Sequence, residues 1–309
     1  MADIKAMFRS LPGVDKLLEV EAIEKLTKTV PRELVTRAIR DVLDEARASI
    51  GKGDIAELID CEDIAKKAVD RVNHILSPNE TSSGKDSKLS ILMNILTGAK
   101  ETIAVDSMAN AVHLVLGSLK MSKDKDRERD HYILVPSTHL IHVNGLGYLE
   151  EMITAAELKI IEVGCTNRVH LKDLRKELAQ SKQLVNSYNI AGILLSDKPN
   201  TKTLGFTKEL NVAEVAELAR EYKIPLIMVH WNGTTNDSST SIKQYIGNGA
   251  NLVISPTKFN LGGFEGAIVC GTSDAVLETL YSTVKMPPLL HKQLEDNLYE
   301  VLKSQSNKL

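Results

Sequence analysis

The sequence predicts an α/β protein in which a helical region precedes a mostly parallel sheet. Apolar residues recur with helical spacing through roughly the first 76 residues, where no strand pattern is present. Seven short apolar runs follow, most of them roughly 25–33 residues apart, which is the spacing of βαβ units. Only about a dozen residues separate the last two runs, too few for a helical crossover, so we expect the last strand to be antiparallel.

The helical region contains two long amphipathic patterns. One begins at Pro31, carries an apolar stripe from Leu34 to Ile50 and ends at Gly51 and Gly53. The other runs from about Glu62 to Leu76. We therefore predict a helical domain at residues 1–76, a polar linker at 77–90, an α/β core at 91–285 and a C-terminal helix at 286–309.

The predicted strands of the core follow from its short apolar runs. Their ranges are Thr102–Val105, Tyr132–Val135, Lys159–Val163, Gly192–Leu195, Leu226–Val229, Asn251–Ile254 and Ala267–Cys270. Open α/β sheets bind ligands at the carboxyl ends of their strands, so we expect the functional residues in the loops that follow these runs.

Composition excludes several classes of protein. The 309 residues carry a net charge of −3 and are 43% hydrophobic, which is ordinary globular usage. One Trp, four Phe and seven Tyr argue against a base-stacking RNA platform. The three cysteines form no CxxC pair, so we expect no metal site and a reducing compartment. Neither an apolar leader nor a membrane-length run is present, and we predict a cytoplasmic protein that does not enter the membrane.

The loop Ser255–Gly266 is the first candidate for chemistry. Lys258 lies among small residues just after a predicted strand, where partial desolvation would free its amine for Schiff-base chemistry. Ser255 could reach a phosphate. The spacing equally fits a surface lysine in a glycine-rich hairpin, and the residues alone leave both interpretations open.

Two further turns follow predicted strands. After Val105, small residues open an alanine-rich helix whose free amides suit a phosphate, although Asp106 or Ser107 could serve only as the N-cap. After Val163, Asn167 could cap the next helix and Arg168 could bind an anion.

Five segments, in order, resemble the bacterial selenocysteine synthase family, the L-seryl-tRNA(Sec) selenium transferases. They are Arg9–Leu18, Leu96–Val112, Glu162–Leu174 (EVGCTNRVHLKDL), Leu204–Glu209 (LGFTKE) and Asn251–Cys270. The resemblance implies a fold-type I pyridoxal-phosphate core behind a small helical, tRNA-binding domain. It also implies a homo-oligomer, at least a dimer and up to a large ring.

The resemblance also implies site residues. Lys258 matches the Schiff-base lysine, with Ser255 beside it, and Ser107 and Met108 fall in the phosphate-cradle turn. Lys202 falls near a family arginine, and with Asn167 and Arg168 it is expected to bind substrate.

The sequence departs from the family pattern on the substrate side. Val229 or His230 stands where the family has the aspartate that pairs with the pyridine nitrogen, so we expect His230 to contact the cofactor. The segment Val143–Tyr148 lacks the family's arginine, and Pro287–Lys292 lacks an arginine pair. Only 39 residues follow Cys270, so we expect a truncated member without the small C-terminal domain.

Two functions are therefore consistent with the sequence. The chain is either a pyridoxal-phosphate enzyme that performs selenium transfer or a related β-elimination and replacement on a seryl-type substrate, or a non-catalytic homologue. The homologue would keep the fold for assembly or for binding RNA or protein. The changed substrate side leaves both hypotheses open.

Overall fold

The structure is a computed structural model. It describes residues 4–53, 60–77, 87–123, 130–143, 146–165, 167–183, 189–197, 205–231, 242–257, 266–272 and 288–306. The chain divides into two compact units, Met1–Ser82 with Leu298–Leu309, and Ser83–Asn297.

The first unit is helical where it is described. Its helices before residue 83 are α1 Ile4–Ser10, α2 Val14–Leu18, α3 Glu21–Thr27, α4 Arg32–Lys52 and α5 Cys61–Leu76. The helix predicted from Pro31 is present, with Pro31 as its N-cap rather than its first residue, and Gly53 ends it at φ 78°. Its apolar stripe is buried from Leu34 to Ile50, because one face of α4 packs against α5 and the shorter helices.

The second unit alternates strands and helices. Its elements are α6 Lys88–Thr97, β1 Glu101–Val105, α7 Met108–Lys123, β2 His131–Pro136, β3 His142–Val143, β4 Gly147–Tyr148, α8 Leu149–Ala155, β5 Lys159–Val163, α9 Leu171–Gln183, β6 Asn189–Ser196, α10 Val212–Tyr222, β7 Leu226–Val229, α11 Ile242–Gly247, β8 Leu252–Pro256 and β9 Ala267–Gly271. A last helix, α12 Pro288–Ser306, continues into the first unit.

All seven predicted strands are present and form one sheet, in the order β1-β9-β8-β7-β6-β2-β5. Strands β5, β2, β6, β7 and β8 are parallel, and β9 is antiparallel to both of its neighbours. The prediction of a mostly parallel sheet with an antiparallel last strand is confirmed. Because β1 and β8 both oppose β9, the carboxyl ends of six strands share one edge.

Apart from the edge strand β5, which is partly exposed, the strands are buried because helices cover the sheet. Helix α7 and residues of α8 pack on one face against apolar side chains from β1, β2, β7, β8 and β9, for example Ile103, Val229 and Ile254. This layer fixes the strand ends on which the candidate site is built. Among the described residues, no helix is long and apolar enough to cross a membrane.

Three local elements differ from the sequence-based expectation. Helix α6 begins at Lys88, inside the stretch predicted as linker, whose residues 78–86 lie outside the described part. Ser137–His139 form a 3₁₀ turn after β2. The two-residue strands β3 and β4 pair as a hairpin, with the ring of His142 edge-on to that of Tyr148 at 4.8 Å.

Candidate active site at the carboxyl edge of the sheet

The carboxyl edge of the sheet gathers the polar residues that follow its strands. The described residues there are Asp106 and Ser107 after β1, Thr138 and His139 after β2, Gly164–Cys165 and Asn167–Arg168 after β5, Asp197 after β6, His230 and Trp231 after β7, and Ser255–Thr257 at the end of β8. Strand β9 begins at the same edge. The loop residues of three predicted segments are thereby brought to one side of the molecule.

Asp197, His230 and Ser255 form a polar row across three neighbouring strands. The register pairs Ser196 with Val229 and Val229 with Ile254, so the residues that follow these positions are neighbours. His230 Nδ1 lies 2.5 Å from Asp197 Oδ2. The other carboxylate oxygen, Oδ1, accepts the backbone N–H of Trp231 at 2.8 Å. Both oxygens of Asp197 are therefore engaged.

Two polar atoms of this row are buried without a partner. The side chains of His230 and Ser255 are fully buried, and neither His230 Nε2 nor Ser255 Oγ has a hydrogen-bond partner among the described residues. Leaving such a group unsatisfied costs about 1–3 kcal/mol. Because these two groups follow paired positions on neighbouring strands at the carboxyl edge, they are the candidates for contact with a ligand.

The residues around the row hold it in place. The backbone N–H of Ser196 donates to His139 Nδ1 at 2.9 Å, and Trp231 Nε1 donates to Ser196 Oγ at 2.7 Å. The ring of Tyr245, from α11, lies edge-on to His230 with centroids 5.5 Å apart. His230 is thus fixed from two sides.

The turn before α7 combines a cap with an anion-binding helix start. Ser107 Oγ accepts the backbone N–H of Asn110 at 3.2 Å, so the N-cap interpretation of Ser107 is confirmed. The amides of the first turn of an α-helix have no intrahelical partner, which suits a phosphate. Met108 buries its side chain in the core, so only its backbone is available to a ligand.

The turn after β5 brings Asn167 and Arg168 to the same edge. Both residues are exposed. Cys165 and Arg168 exchange backbone hydrogen bonds of 3.0 and 3.1 Å, and the carbonyl of Asn167 accepts the N–H of Lys208 at 3.4 Å. Of the two interpretations left open for this turn, capping by Asn167 is excluded, because α9 begins at Leu171 and the Asp173 carboxylate accepts the N–H of His170.

Two predicted residues lie outside the described part of the chain, Lys202 and Lys258. Thr257 and Gly266, which flank the segment containing Lys258, are joined by a backbone hydrogen bond of 3.0 Å. Both ends of that segment therefore lie at the carboxyl edge.

Sequence reasoning missed Asp197. We noted that the strand ending at Val229 carries no aspartate, but the carboxylate stands at the end of the neighbouring strand β6 and contacts His230. The sequence did contain an indication of this contact. Asp197 follows a predicted strand, and the carboxyl ends of parallel strands lie at the same edge of a sheet.

The thiol of Cys270 lies buried in β9. Burial raises the pKa of the Cys270 thiol to about 12, so it stays protonated near neutral pH. No group of three or more His, Cys, Asp or Glu residues could hold a metal ion in the part of the chain that the structure describes.

The strand order, the antiparallel last strand and the helix-start turn after β1 together define a fold-type I large domain. A solved structure with a similar fold is D-glucosaminate-6-phosphate ammonia-lyase, with a TM-score of 0.51 and 12% identity over 90% of this chain and 64% of that one. The L-seryl-tRNA selenium transferase family model matches residues 49–284, and the selenocysteine synthase N-terminal model matches residues 8–47. The chain belongs to the L-seryl-tRNA selenium transferase family.

Curated relatives give the same assignment. The L-seryl-tRNA(Sec) selenium transferase of Alkaliphilus oremlandii is 24% identical over 86% of this chain and 65% of its own length. That of Carboxydothermus hydrogenoformans is 22% identical over 88% of this chain and 66% of its own length. The chain thus spans just under two thirds of the length of these two relatives.

Proposed function

We propose that this chain binds pyridoxal 5′-phosphate and catalyses β-elimination and replacement on a seryl-type substrate, with selenium transfer to L-seryl-tRNA(Sec) as the reaction. The observation that carries the cofactor assignment is the pair of buried, unpartnered atoms His230 Nε2 and Ser255 Oγ at the sheet edge. Family membership supplies the reaction class.

The residues present fit the cofactor. Its phosphate needs several hydrogen-bond donors, which the first-turn amides of α7 near Ser107 and Met108 and the hydroxyl of Ser255 can supply. Its ring nitrogen needs a polar partner, and His230 is the buried polar side chain at the end of β7. When bound, pyridoxal phosphate acts as an electron sink for the carbon next to the substrate amine.

The remaining steps belong to the protein. In this proposal Lys258 Nζ would hold the cofactor, would accept the proton of the seryl α-carbon once the substrate is bound, and would return it to the seryl hydroxyl, which leaves as water. Arg168, exposed at the same edge, binds an anionic part of the substrate together with Asn167 and Lys202. The burial of His230 and Ser255 keeps water from their side of the site.

The test is to titrate the purified chain with pyridoxal phosphate while recording its visible spectrum. We expect a saturable band, and borohydride reduction should fix a pyridoxyl group on Lys258, located by peptide mass spectrometry. Lys258→Ala should abolish both signals, whereas Lys208→Ala, which removes an exposed lysine near Arg168, should abolish neither. If the spectrum showed no saturable band on addition of pyridoxal phosphate, the proposal would be wrong.

A non-catalytic homologue is the second candidate. The observation that favours it is the β3–β4 hairpin, in which the edge-on pair His142 and Tyr148 lies in the segment where the family carries an arginine. Transfer of selenium to seryl-tRNA in vitro separates the two functions. Turnover by the chain alone would exclude the hypothesis of a non-catalytic homologue. Cofactor binding without turnover on seryl-tRNA or free serine would support that hypothesis.

Partners and location extend the proposal. Family membership supports a tRNA-linked substrate, and the helical unit is the region we expect to contact tRNA. Assembly into a homo-oligomer and a cytoplasmic location stay predictions of the sequence.

A further inference from the structure

We propose that His230 is the direct partner of the cofactor's ring nitrogen and that Asp197 is a positioning residue that acts through it. The inference rests on the proposed function, because it concerns the same cofactor. It assigns to two residues on neighbouring strands the task that a single aspartate performs in the family pattern.

The contacts of Asp197 direct its carboxylate at His230 and at the backbone of Trp231. Its Oδ2 lies 2.5 Å from His230 Nδ1, and its Oδ1 accepts the N–H of Trp231 at 2.8 Å. The carboxylate is held at both oxygens. It cannot turn toward a ligand without losing one of these hydrogen bonds.

The same contacts define what His230 offers. A carboxylate can only accept, so Nδ1 carries the proton that lies between the two side chains. The free atom is then Nε2, which in the neutral ring is an acceptor and points away from Nδ1. Nε2 is buried and has no partner among the described residues. An acceptor of this kind matches the N–H of a protonated pyridine ring.

The charge of Asp197 strengthens the hydrogen bond that His230 would accept from the ring nitrogen. A neutral imidazole alone would hold a pyridinium proton weakly. With the Asp197 carboxylate behind it, the imidazole is polarised and the positive ring is stabilised through one intervening group, as in other carboxylate–histidine pairs. The ring nitrogen therefore keeps its proton, and the cofactor keeps its capacity to accept electrons.

A purely structural role explains the pair less well. An Asp–His contact that only tied β6 to β7 would leave Nε2 buried and unsatisfied, at a cost that an apolar residue would avoid. The neighbouring Ser255 Oγ is unsatisfied in the same way and on the next strand. A single ligand that bonds to both His230 Nε2 and Ser255 Oγ would explain why neither atom has a partner among the described residues.

The experiment compares two ligands that differ only at the nitrogen. Affinities of the full chain are measured for pyridoxal phosphate and for its 1-deaza analogue, in which a carbon replaces the ring nitrogen. A hydrogen bond to a charged group predicts that the wild type prefers pyridoxal phosphate by roughly 10- to 100-fold. His230→Phe should reduce that preference to about onefold, and Asp197→Asn should reduce it partly.

Ser255→Ala is the matched control. It removes the neighbouring buried hydroxyl, so it should weaken both ligands equally and leave the preference unchanged. The double exchange Asp197→His with His230→Asp returns a carboxylate to the end of β7 and should retain the preference, which also guards against misfolding of His230→Phe.

The outcomes separate this inference from the proposed function. Equal affinity of the wild type for both ligands, or a preference that survives in His230→Phe, overturns the inference and leaves cofactor binding intact. Failure to bind either ligand overturns the proposed function and the inference with it.

Discussion

Gly164 shows how one residue shapes the candidate substrate turn. Its φ is 93°, in the left-handed region, and a Cβ there would lie 2.6 Å from Val169 Cγ2. An alanine would meet backbone strain of roughly 1–2 kcal/mol and overpacking of about 1–3 kcal/mol. We therefore expect Gly164→Ala to lower the free energy of unfolding by at least about 2 kcal/mol in urea denaturation.

Gly117 provides the control for that substitution. It lies inside α7, and a Cβ there would meet nothing within 4 Å. Gly117→Ala should stabilise the protein by up to about 1 kcal/mol, because alanine favours the helix. If both variants changed the stability in the same direction, the turn geometry assigned to Gly164 would be wrong.

The polar row marks the limit of sequence reasoning at single residues. The sequence predicted that functional residues gather after the strands, and His230, Ser255 and Ser107 do lie there. It did not reveal the Asp197–His230 contact, because that contact depends on the register of β6 against β7. A shift of one residue would turn one of the two side chains to the other face.

At the scale of elements, the strands were predictable for a physical reason. Strands buried in a sheet that helices cover appear as short continuous apolar runs, and apolar runs located all seven strands to within a few residues, including the partly exposed edge strand β5. The two-residue strands β3 and β4 are too short to produce a pattern. Helix α6 was missed because its sequence LSILMNIL is apolar around most of its surface and gives no clear helical period.

Helix α7 supplies a prediction at the same scale. Ser107 caps it by accepting the N–H of Asn110 at 3.2 Å. Ser107→Ala should lower the free energy of unfolding by about 1 kcal/mol, whereas Ser107→Asn, which can still cap, should stay close to wild type. Urea denaturation of both variants without cofactor isolates the cap, and equal stabilities would show that the hydroxyl does not act as one.

The whole molecule combines a retained scaffold with a changed site. The fold resembles that of D-glucosaminate-6-phosphate ammonia-lyase at 12% identity, since many apolar sequences can satisfy the same strand pattern. The polar row tolerates fewer substitutions than the strands do, because each of its polar atoms needs a hydrogen-bond partner at a fixed position. Changes such as His230 therefore carry more information about function than the similarity of fold does.

The charge of the helical unit leads to a prediction about tRNA. Residues 1–76 contain thirteen basic and fifteen acidic residues. Five of the basic side chains are paired with carboxylates within this unit, namely Lys25 with Glu21, Lys28 with Glu24, Arg37 with Asp41, Arg47 with Asp44 and Arg71 with Glu45. These pairs leave little positive field to attract a phosphate backbone.

We therefore expect recognition of tRNA shape with few neutralised phosphates. Between about 50 and 200 mM salt, the affinity of the full chain for seryl-tRNA should fall by no more than about tenfold, which corresponds to roughly two phosphates. Fluorescence anisotropy across that range measures the slope, with a tRNA for another amino acid as the control. A loss of about a thousandfold would require many phosphate contacts. Such a loss would contradict the prediction that the acidic excess and the ion pairs of the helical unit leave it little positive field.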